Sequence, residues 1–178
     1  MGKRPGGSAS PKLGMLSVVA LLLTSCQHTI RVDNWDTFSV VLERTACFGT
    51  CPVYMVKIDG SGLVEYTGRL NVDVLASRTA KIEPNAVKNL VRSFNEVQFL
   101  GLRNNYSELC TDMPTTIITL SYDGKTKRVS NYYGGCEGEK TGPQVDLARL
   151  ADQIDSTAGT AHWVKCTDGC LGAPGKRL

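Results

Sequence analysis

A cysteine pair with the spacing CxxxC is the part of this sequence best suited to chemistry. Cys47 and Cys51 form the pair, and Pro52 follows directly. Two thiolates at this spacing can hold copper with a histidine, as in thioredoxin-like assembly proteins. In a thioredoxin-like site the second cysteine begins a helix, whose dipole lowers the thiol pKa. Here Pro52 leads into a strand pattern, which favours a structural disulfide. Redox or metal use stays the alternative, since Arg44 could supply positive potential.

A second CxxxC pair, Cys166 and Cys170, lies near the end of the sequence. The one histidine of the predicted domain is His162, which we expect to serve packing beside Trp163. A cluster of the three side chains would still lack the fourth ligand of a structural zinc site. A disulfide that closes a short terminal loop is therefore favoured, and we assign no metal and no cofactor.

A loop carboxylate is the remaining candidate for a functional side chain. Thr111 and Asp112 precede Pro114 in a connection, where loop residues often carry function. An Asx turn, in which Asp112 accepts hydrogen bonds from nearby backbone amides, is the favoured alternative. Motifs of serine hydrolases, nucleotide-binding loops and HExxH metalloproteases do not occur in the sequence. We therefore assign no catalytic residue.

The first 25 residues have the pattern of a lipoprotein signal peptide. The apolar run at 13–23 is too short to span a bilayer, which requires roughly 20 residues. It ends in Leu-Thr-Ser before Cys26, which resembles a bacterial lipobox. The segment before the apolar run carries three basic and no acidic side chains, namely Lys3, Arg4 and Lys12. We predict cleavage before Cys26 and attachment of lipid to its thiol, which anchors a domain stably to a membrane.

The compartment follows from this signal and from the other cysteines. Position 27 is Gln rather than Asp, which by the sorting rule of bacterial lipoproteins favours the outer membrane, with the domain facing the periplasm. Six cysteines remain besides Cys26, an even number that predicts disulfides in an exported chain. The spacing favours three local pairs, which are Cys47 with Cys51, Cys110 with Cys136, and Cys166 with Cys170.

The charge of the mature chain excludes some partners. Removal of residues 1–25 leaves 17 basic residues, which is 20 minus Lys3, Arg4 and Lys12, against 17 acidic residues. A net charge of zero gives no electrostatic reason to expect binding to nucleic acid or a polybasic patch that binds a membrane.

The periodicity predicts a mixture of strands and helices. Alternating or β-branched segments predict strands at 38–43, 53–58, 63–67, 76–82, 115–122 and 126–133. Apolar residues at helical spacing follow Pro84, and a second set begins near 141 and stops at Gly159. Trp163 is expected to fold back on the core.

These elements predict one α+β domain at 37–165, stabilised by disulfides. Its antiparallel sheet has five to six strands, with two helices packed on one face. Residues 26–36 form the lipidated cysteine and a tether, and residues 166–178 form a Gly-rich tail.

The order of several short motifs resembles an uncharacterised bacterial family, the domain of unknown function 6438. The resemblance extends from about 38 to 165 and implies a small exported domain, often lipid-anchored, with no established activity. The matching residues are Cys47–Tyr54, Gly62–Tyr66, Phe99, Leu102, Tyr106, Thr111–Thr115, Lys127–Val129, Tyr132, Ile154–Asp155 and Trp163–Val164.

The function we expect is that of a non-enzymatic binding or interaction module, lipid-anchored in the cell envelope. Its partners are the membrane, through the N-terminal lipid, and a protein or small molecule that the sequence does not identify. The alternative is a thiol-redox or copper-handling periplasmic protein that uses Cys47 and Cys51. An enzyme inhibitor that binds through a sheet surface fits the size and the cysteines, but no residue supports it specifically.

Overall fold

The computed structural model describes residues 1–2, 29–107, 111–132 and 142–164. The predicted tail at 166–178 and all but the first two residues of the predicted signal peptide fall outside these ranges. The cysteines whose predicted roles also lie outside the described residues are Cys26, Cys110, Cys136, Cys166 and Cys170.

Seven strands form one sheet in the described part of the chain, in the order β4-β3-β2-β1-β6-β7-β5. The strands are β1 (Ser39–Arg44), β2 (Val53–Asp59), β3 (Leu63–Leu70), β4 (Ser77–Lys81), β5 (Asn105–Ser107), β6 (Thr115–Tyr122) and β7 (Lys125–Tyr132). The helices are α1 (Pro84–Glu96), α2 (Pro143–Ala158) and the short α3 (Ala161–Val164). This confirms the predicted α+β class.

The predicted sheet was wrong in size and in direction. We expected five to six antiparallel strands, whereas β5 adds a seventh strand that runs parallel to β7. The strand was missed because three residues are too few to show an alternating pattern. It is parallel because no hairpin joins β5 to β7: β6 lies between them in sequence and runs in the opposite direction, so the chain has already reversed before β7 begins. The short α3 was not predicted either.

One face of the sheet carries the core, and both long helices contribute to it. Alternate residues of the central strands are buried, among them Val40, Leu42, Val56 and Ile118. Their cluster also contains the apolar stripes of α1 and α2, as the helical spacing predicted. The helices therefore lie on a single face, and α2 contacts β1, β2, β6 and β7.

The segment before β1 belongs to the domain, although we expected a tether as far as residue 36. Ile30 is buried, and its backbone N–H donates to Asn95 Oδ1 at 2.7 Å. Trp35–Thr37 is a 3-10 helix, and the carboxylate of Asp123 accepts from the N–H of Asn34 at 2.9 Å. The chain thus enters the domain beside the β6–β7 turn.

Candidate functional site

The predicted bond between Cys47 and Cys51 is present, with the two Cα atoms 5.7 Å apart. It closes the connection between β1 and β2. Cys51 is buried, with 1% of its surface exposed, and the strand β2 begins two residues later. The helix that a thioredoxin-like site places at its second cysteine is therefore replaced by a strand here.

Neighbouring loops hold this disulfide-closed loop from two sides. The N–H of Phe48 donates to the carbonyl of Asp112 at 3.2 Å. On the other side, Asn71 Nδ2 donates to the carbonyl of Cys51 at 3.1 Å. Asn71 and Asp112 both have left-handed backbones, with φ of 53° and 71°. Asn and Asp adopt this conformation more readily than other non-glycine residues, so it suits the turns in which they lie. The two hydrogen bonds tie the disulfide-closed loop to these turns.

The Thr111–Asp112 loop is thus part of this arrangement. Its contribution to the disulfide-closed loop comes from the backbone carbonyl of Asp112. The carboxylate of Asp112 is exposed and accepts from the hydroxyl of Thr111 at 3.1 Å. Within the described residues, neither side chain makes a hydrogen bond to a further side chain.

A buried charge cluster lies at the same end of the sheet. The carboxylate of Asp155, in α2, is fully buried beneath the end of β1. Its Oδ2 accepts from Arg44 Nε at 3.0 Å and from Arg44 Nη2 at 2.8 Å. Its Oδ1 accepts from the hydroxyls of Tyr54 and Thr160, each at 2.8 Å. Asp152 adds a second carboxylate, 3.2 Å from Arg44 Nη2.

The surroundings of this cluster keep Arg44 charged and Tyr54 protonated. Burial raises the pKa of Tyr54 well above its ordinary value, and the carboxylate of Asp155 raises it further, so the phenol stays a donor. Burial alone would lower the pKa of Arg44, but Asp155, Tyr54 and Asp152 together outweigh it and the pKa is raised. Each carboxylate oxygen of Asp155 already accepts two hydrogen bonds. The cluster therefore ties α2 to β1 and β2, and the carboxylate of Asp155 is fully used within it.

Sequence reasoning missed this cluster. Arg44 was considered only as a source of positive potential near the cysteines, and Asp155 and Tyr54 were given no electrostatic role. The available signal was the position of Asp155, four residues after Ala151 on the apolar stripe of α2. A carboxylate on a buried face requires a partner. Its partner could not be read from the sequence because Arg44 is 111 residues away.

The residues after α2 were predicted with mixed success. Gly159 ends α2 with a φ of 71°, as expected. Trp163 packs on Tyr66, with ring centroids 4.9 Å apart, which confirms that it folds back on the core. His162 is exposed rather than packed, so the role predicted for it was wrong. It lies in the four-residue α3, which turns its neighbour Trp163 inward and leaves His162 facing solvent.

Three exposed apolar side chains lie at the end of the sheet that carries the disulfide. Apart from Met1, the large apolar residues exposed in the described part of the chain are Phe48 (87%), Leu75 (67%) and Leu70 (51%). Leu70 pairs with Val53 directly after the disulfide, and Leu75 lies in the connection that follows Leu70.

This β3–β4 connection is packed against the sheet. The N–H of Val74 donates to the carbonyl of Trp163 at 3.1 Å, and the N–H of Gly68 donates to the carbonyl of Ala76 at 3.3 Å. The approach is so close that a Cβ on Gly68 would overlap the carbonyl oxygen of Val74. The backbone that carries Leu70 and Leu75 is therefore held in place.

Residues 1–2, 29–107, 111–132 and 142–164 include neither a metal site nor a membrane-spanning helix. No three His, Cys, Asp or Glu side chains in these ranges are placed to hold a metal ion. Nor do the described helices include one with the length and apolarity that a bilayer span requires.

Comparison with known proteins agrees with the resemblance seen in the sequence. A family described as a domain of unknown function (DUF6438) matches residues 38–157, a range that holds all seven strands, α1 and nearly all of α2. The match includes the disulfide and the pair formed by Arg44 and Asp155. Curated proteins give no match to the chain. Since the matched range covers more than half of its length, the chain belongs to the DUF6438 family.

Proposed function

We propose that this protein is a non-enzymatic binding module of the cell envelope. In this proposal it is exported and lipidated on Cys26, and it is held at the outer membrane facing the periplasm. The signal-peptide pattern before Cys26 supports export. The disulfide between Cys47 and Cys51 supports it as well, since such bonds persist in oxidising compartments.

The observation that carries the binding role is the grouping of exposed apolar side chains at one end of the sheet. Phe48 and Leu75 lie on connections that hydrogen bonds hold in place, and Leu70 is the last residue of β3. Exposed apolar groups that lie together commonly mark interaction sites. The buried polar groups of Arg44, Tyr54, Asp155 and Thr160 beneath this end of the sheet, by contrast, are hydrogen-bonded to one another. Exposed apolar side chains above polar groups that are bonded to one another support a binding role.

The thiol-redox or copper-handling alternative has less support. A reactive cysteine requires an accessible thiolate in a positive environment, whereas Cys51 is buried and Cys47 is half-buried. The positive potential that Arg44 could have supplied is neutralised by Asp155 and Asp152, with which it forms ion pairs. We therefore propose the disulfide as a structural clamp of the exposed loop.

Two measurements on intact cells test the proposal. The first is metabolic labelling with a fatty acid, which should mark the wild-type protein and leave Cys26→Ser unmarked. The second is cross-linking with an amine reagent that does not cross the inner membrane. We expect it to join the protein to another envelope component in a discrete complex. Equal labelling of both forms would refute the anchor. Failure to form any complex, in cells whose protein the reagent does modify, would refute the binding role.

A further inference from the structure

The strand β4 forms one edge of the sheet. In the described part of the chain it pairs with β3 on one side and with no strand on the other. Four of its five residues are exposed. The unpaired backbone groups of an edge strand are a template for an added strand, including the same edge of a second copy of the chain. The side of β4 that faces away from β3, called here its outer side, is therefore a place where two copies can join.

The hydrogen bonds to β3 show which residues of β4 direct their backbone groups to the outer side. The carbonyl of Ala76 accepts from the N–H of Gly68 at 3.3 Å. Beyond the other end of β4, the N–H of Ile82 donates to the carbonyl of Gly62 at 2.9 Å. The register is constant between these bonds, and bonded residues of an antiparallel pair alternate with residues that are not bonded. The outward-directed residues are therefore Ser77, Thr79 and Lys81.

The side chain of Arg78 occupies part of this outer side. Arg78 is exposed, and its Nη1 donates to the outward-directed carbonyl of Ser77 at 2.9 Å. An added strand that bonds to this carbonyl has to displace the guanidinium group. A charge-assisted hydrogen bond is then exchanged for a weaker bond between neutral groups. The contact between Arg78 and Ser77 therefore opposes the addition of any strand at this point.

The charge of Arg78 opposes pairing with a second copy in particular. All five residues of β4 pair with a second β4 when the two-fold axis passes through Thr79, and Arg78 then lies opposite Ala80 of the other copy. The two Arg78 side chains are diagonal neighbours in this register, about 7–8 Å apart, which is within reach of long side chains. An axis at Arg78 instead places the two arginines directly opposite each other, where like charges destabilise the pair.

The remaining charges near β4 do not relieve this repulsion. Lys81 adds a second positive charge, and β4 contains no acidic residue. An axis at Ala80 separates the arginines but makes the two Lys81 side chains diagonal neighbours. Asp73 and Glu83 lie outside the five residues that pair. Each of these registers therefore brings like charges together, and the register that pairs all five residues does so through Arg78.

We infer that Arg78 prevents β4 from pairing with the β4 of a second copy of the chain. The bond to the Ser77 carbonyl and the repulsion between two guanidinium groups both contribute. The inference goes beyond the proposed function and does not depend on it.

Sedimentation equilibrium of the purified full chain, in a solvent that matches the density of the detergent, tests this inference. Arg78→Thr removes both contributions and introduces a residue that suits a strand. Arg128→Thr is the matched control, because Arg128 is an exposed arginine in the strand β7. We expect Arg78→Thr to form a dimer at concentrations at which the wild type and Arg128→Thr are monomeric. Its dissociation constant should be at least about tenfold below the limit set by the wild type.

A second replacement shows whether such a dimer forms through β4. Thr79→Pro removes an N–H that points away from β3, so the bonds between β4 and β3 are retained. Thr79→Lys places like charges directly opposite each other at the two-fold axis. Either change, added to Arg78→Thr, should restore the monomer, and urea unfolding of each variant checks that it is folded.

Three results would overturn the inference. The first is an Arg78→Thr variant that is folded and stays monomeric like the wild type. The second is a dimer of Arg78→Thr that persists after both Thr79→Pro and Thr79→Lys, because it would form through another surface. The third is a wild-type dimer that Thr79→Pro disrupts, because β4 would then pair in the presence of Arg78.

Discussion

Replacement of Asp155 by asparagine would test whether the buried charge cluster holds α2 on the sheet. The change preserves the shape of the side chain and keeps one oxygen, but it removes the negative charge 2.8 Å from Arg44 Nη2. Breaking a buried ion pair costs about 3–5 kcal/mol because the remaining charge is left uncompensated. Asp152, whose side chain is 30% exposed, offsets part of this loss. We therefore expect the free energy of unfolding to fall by about 3 kcal/mol.

Urea unfolding of the oxidised protein, followed by tryptophan fluorescence, measures this change. The matched control is Asp146→Asn, which alters the same residue type in the same helix. Asp146 pairs with Arg149 at the surface, and exposed pairs contribute at most about 1 kcal/mol. If Asp155→Asn lowers the stability no more than this control does, the cluster does not hold α2 on the sheet, and our reasoning about it is refuted.

The remaining predictions concern pH and the disulfides. Burial, followed by the charge of Asp155, raises the pKa of Tyr66 to about 12, whereas tyrosine in an unfolded chain ionises near about 10. Unfolding therefore releases a proton between these pH values, and stability that is fully present below pH 10 falls as the pH rises. Tyr66→Phe should flatten this fall in a pH series of urea unfolding, and an unchanged slope would contradict the assignment. The Cys47–Cys51 bond should have a reduction potential below roughly −300 mV, measured by alkylation and mass analysis after equilibration with dithiothreitol buffers. A value between about −120 and −270 mV, the range of the oxidoreductases, would favour the redox alternative instead. The predicted bond between Cys110 and Cys136 would close a loop of about 26 residues, and its removal should lower the free energy of unfolding by about 3 kcal/mol. Mass mapping that finds both thiols free would show this prediction to be wrong.

The sequence predicted those features of the fold that depend on neighbouring residues. The alternation of apolar residues in Val53–Asp59 and their helical spacing after Pro84 each indicate one face that must be buried. The strand β2 and the helix α1 are both present as predicted. The Asp123-Gly124 turn joins β6 and β7 with positive φ at both residues, which suits this residue pair. Local chemistry was sufficient in all of these cases.

Features that depend on distant contacts were not predictable in the same way. The Asn105–Ser107 strand exists because β7 offers a free edge, which its own three residues do not signal. The pairing of Arg44 with Asp155 depends on where α2 crosses the sheet. Among the candidate site residues, the close pair Cys47 and Cys51 could be predicted because a separation of four residues limits their partners.

The central position of β1 has a consequence for the order of folding. Its partner β2 follows within the same part of the chain, whereas its other partner, β6, comes only after α1 and β5. Closing so long a loop carries an entropic cost before any contact is gained, so this pairing should limit the folding rate. Until β6 arrives, the apolar strand β1 has an open edge, which can pair with other chains and aggregate. If the protein crosses the membrane N-terminus first, its early half must be kept apart from other chains, for example by a holding chaperone, until the later half completes the sheet.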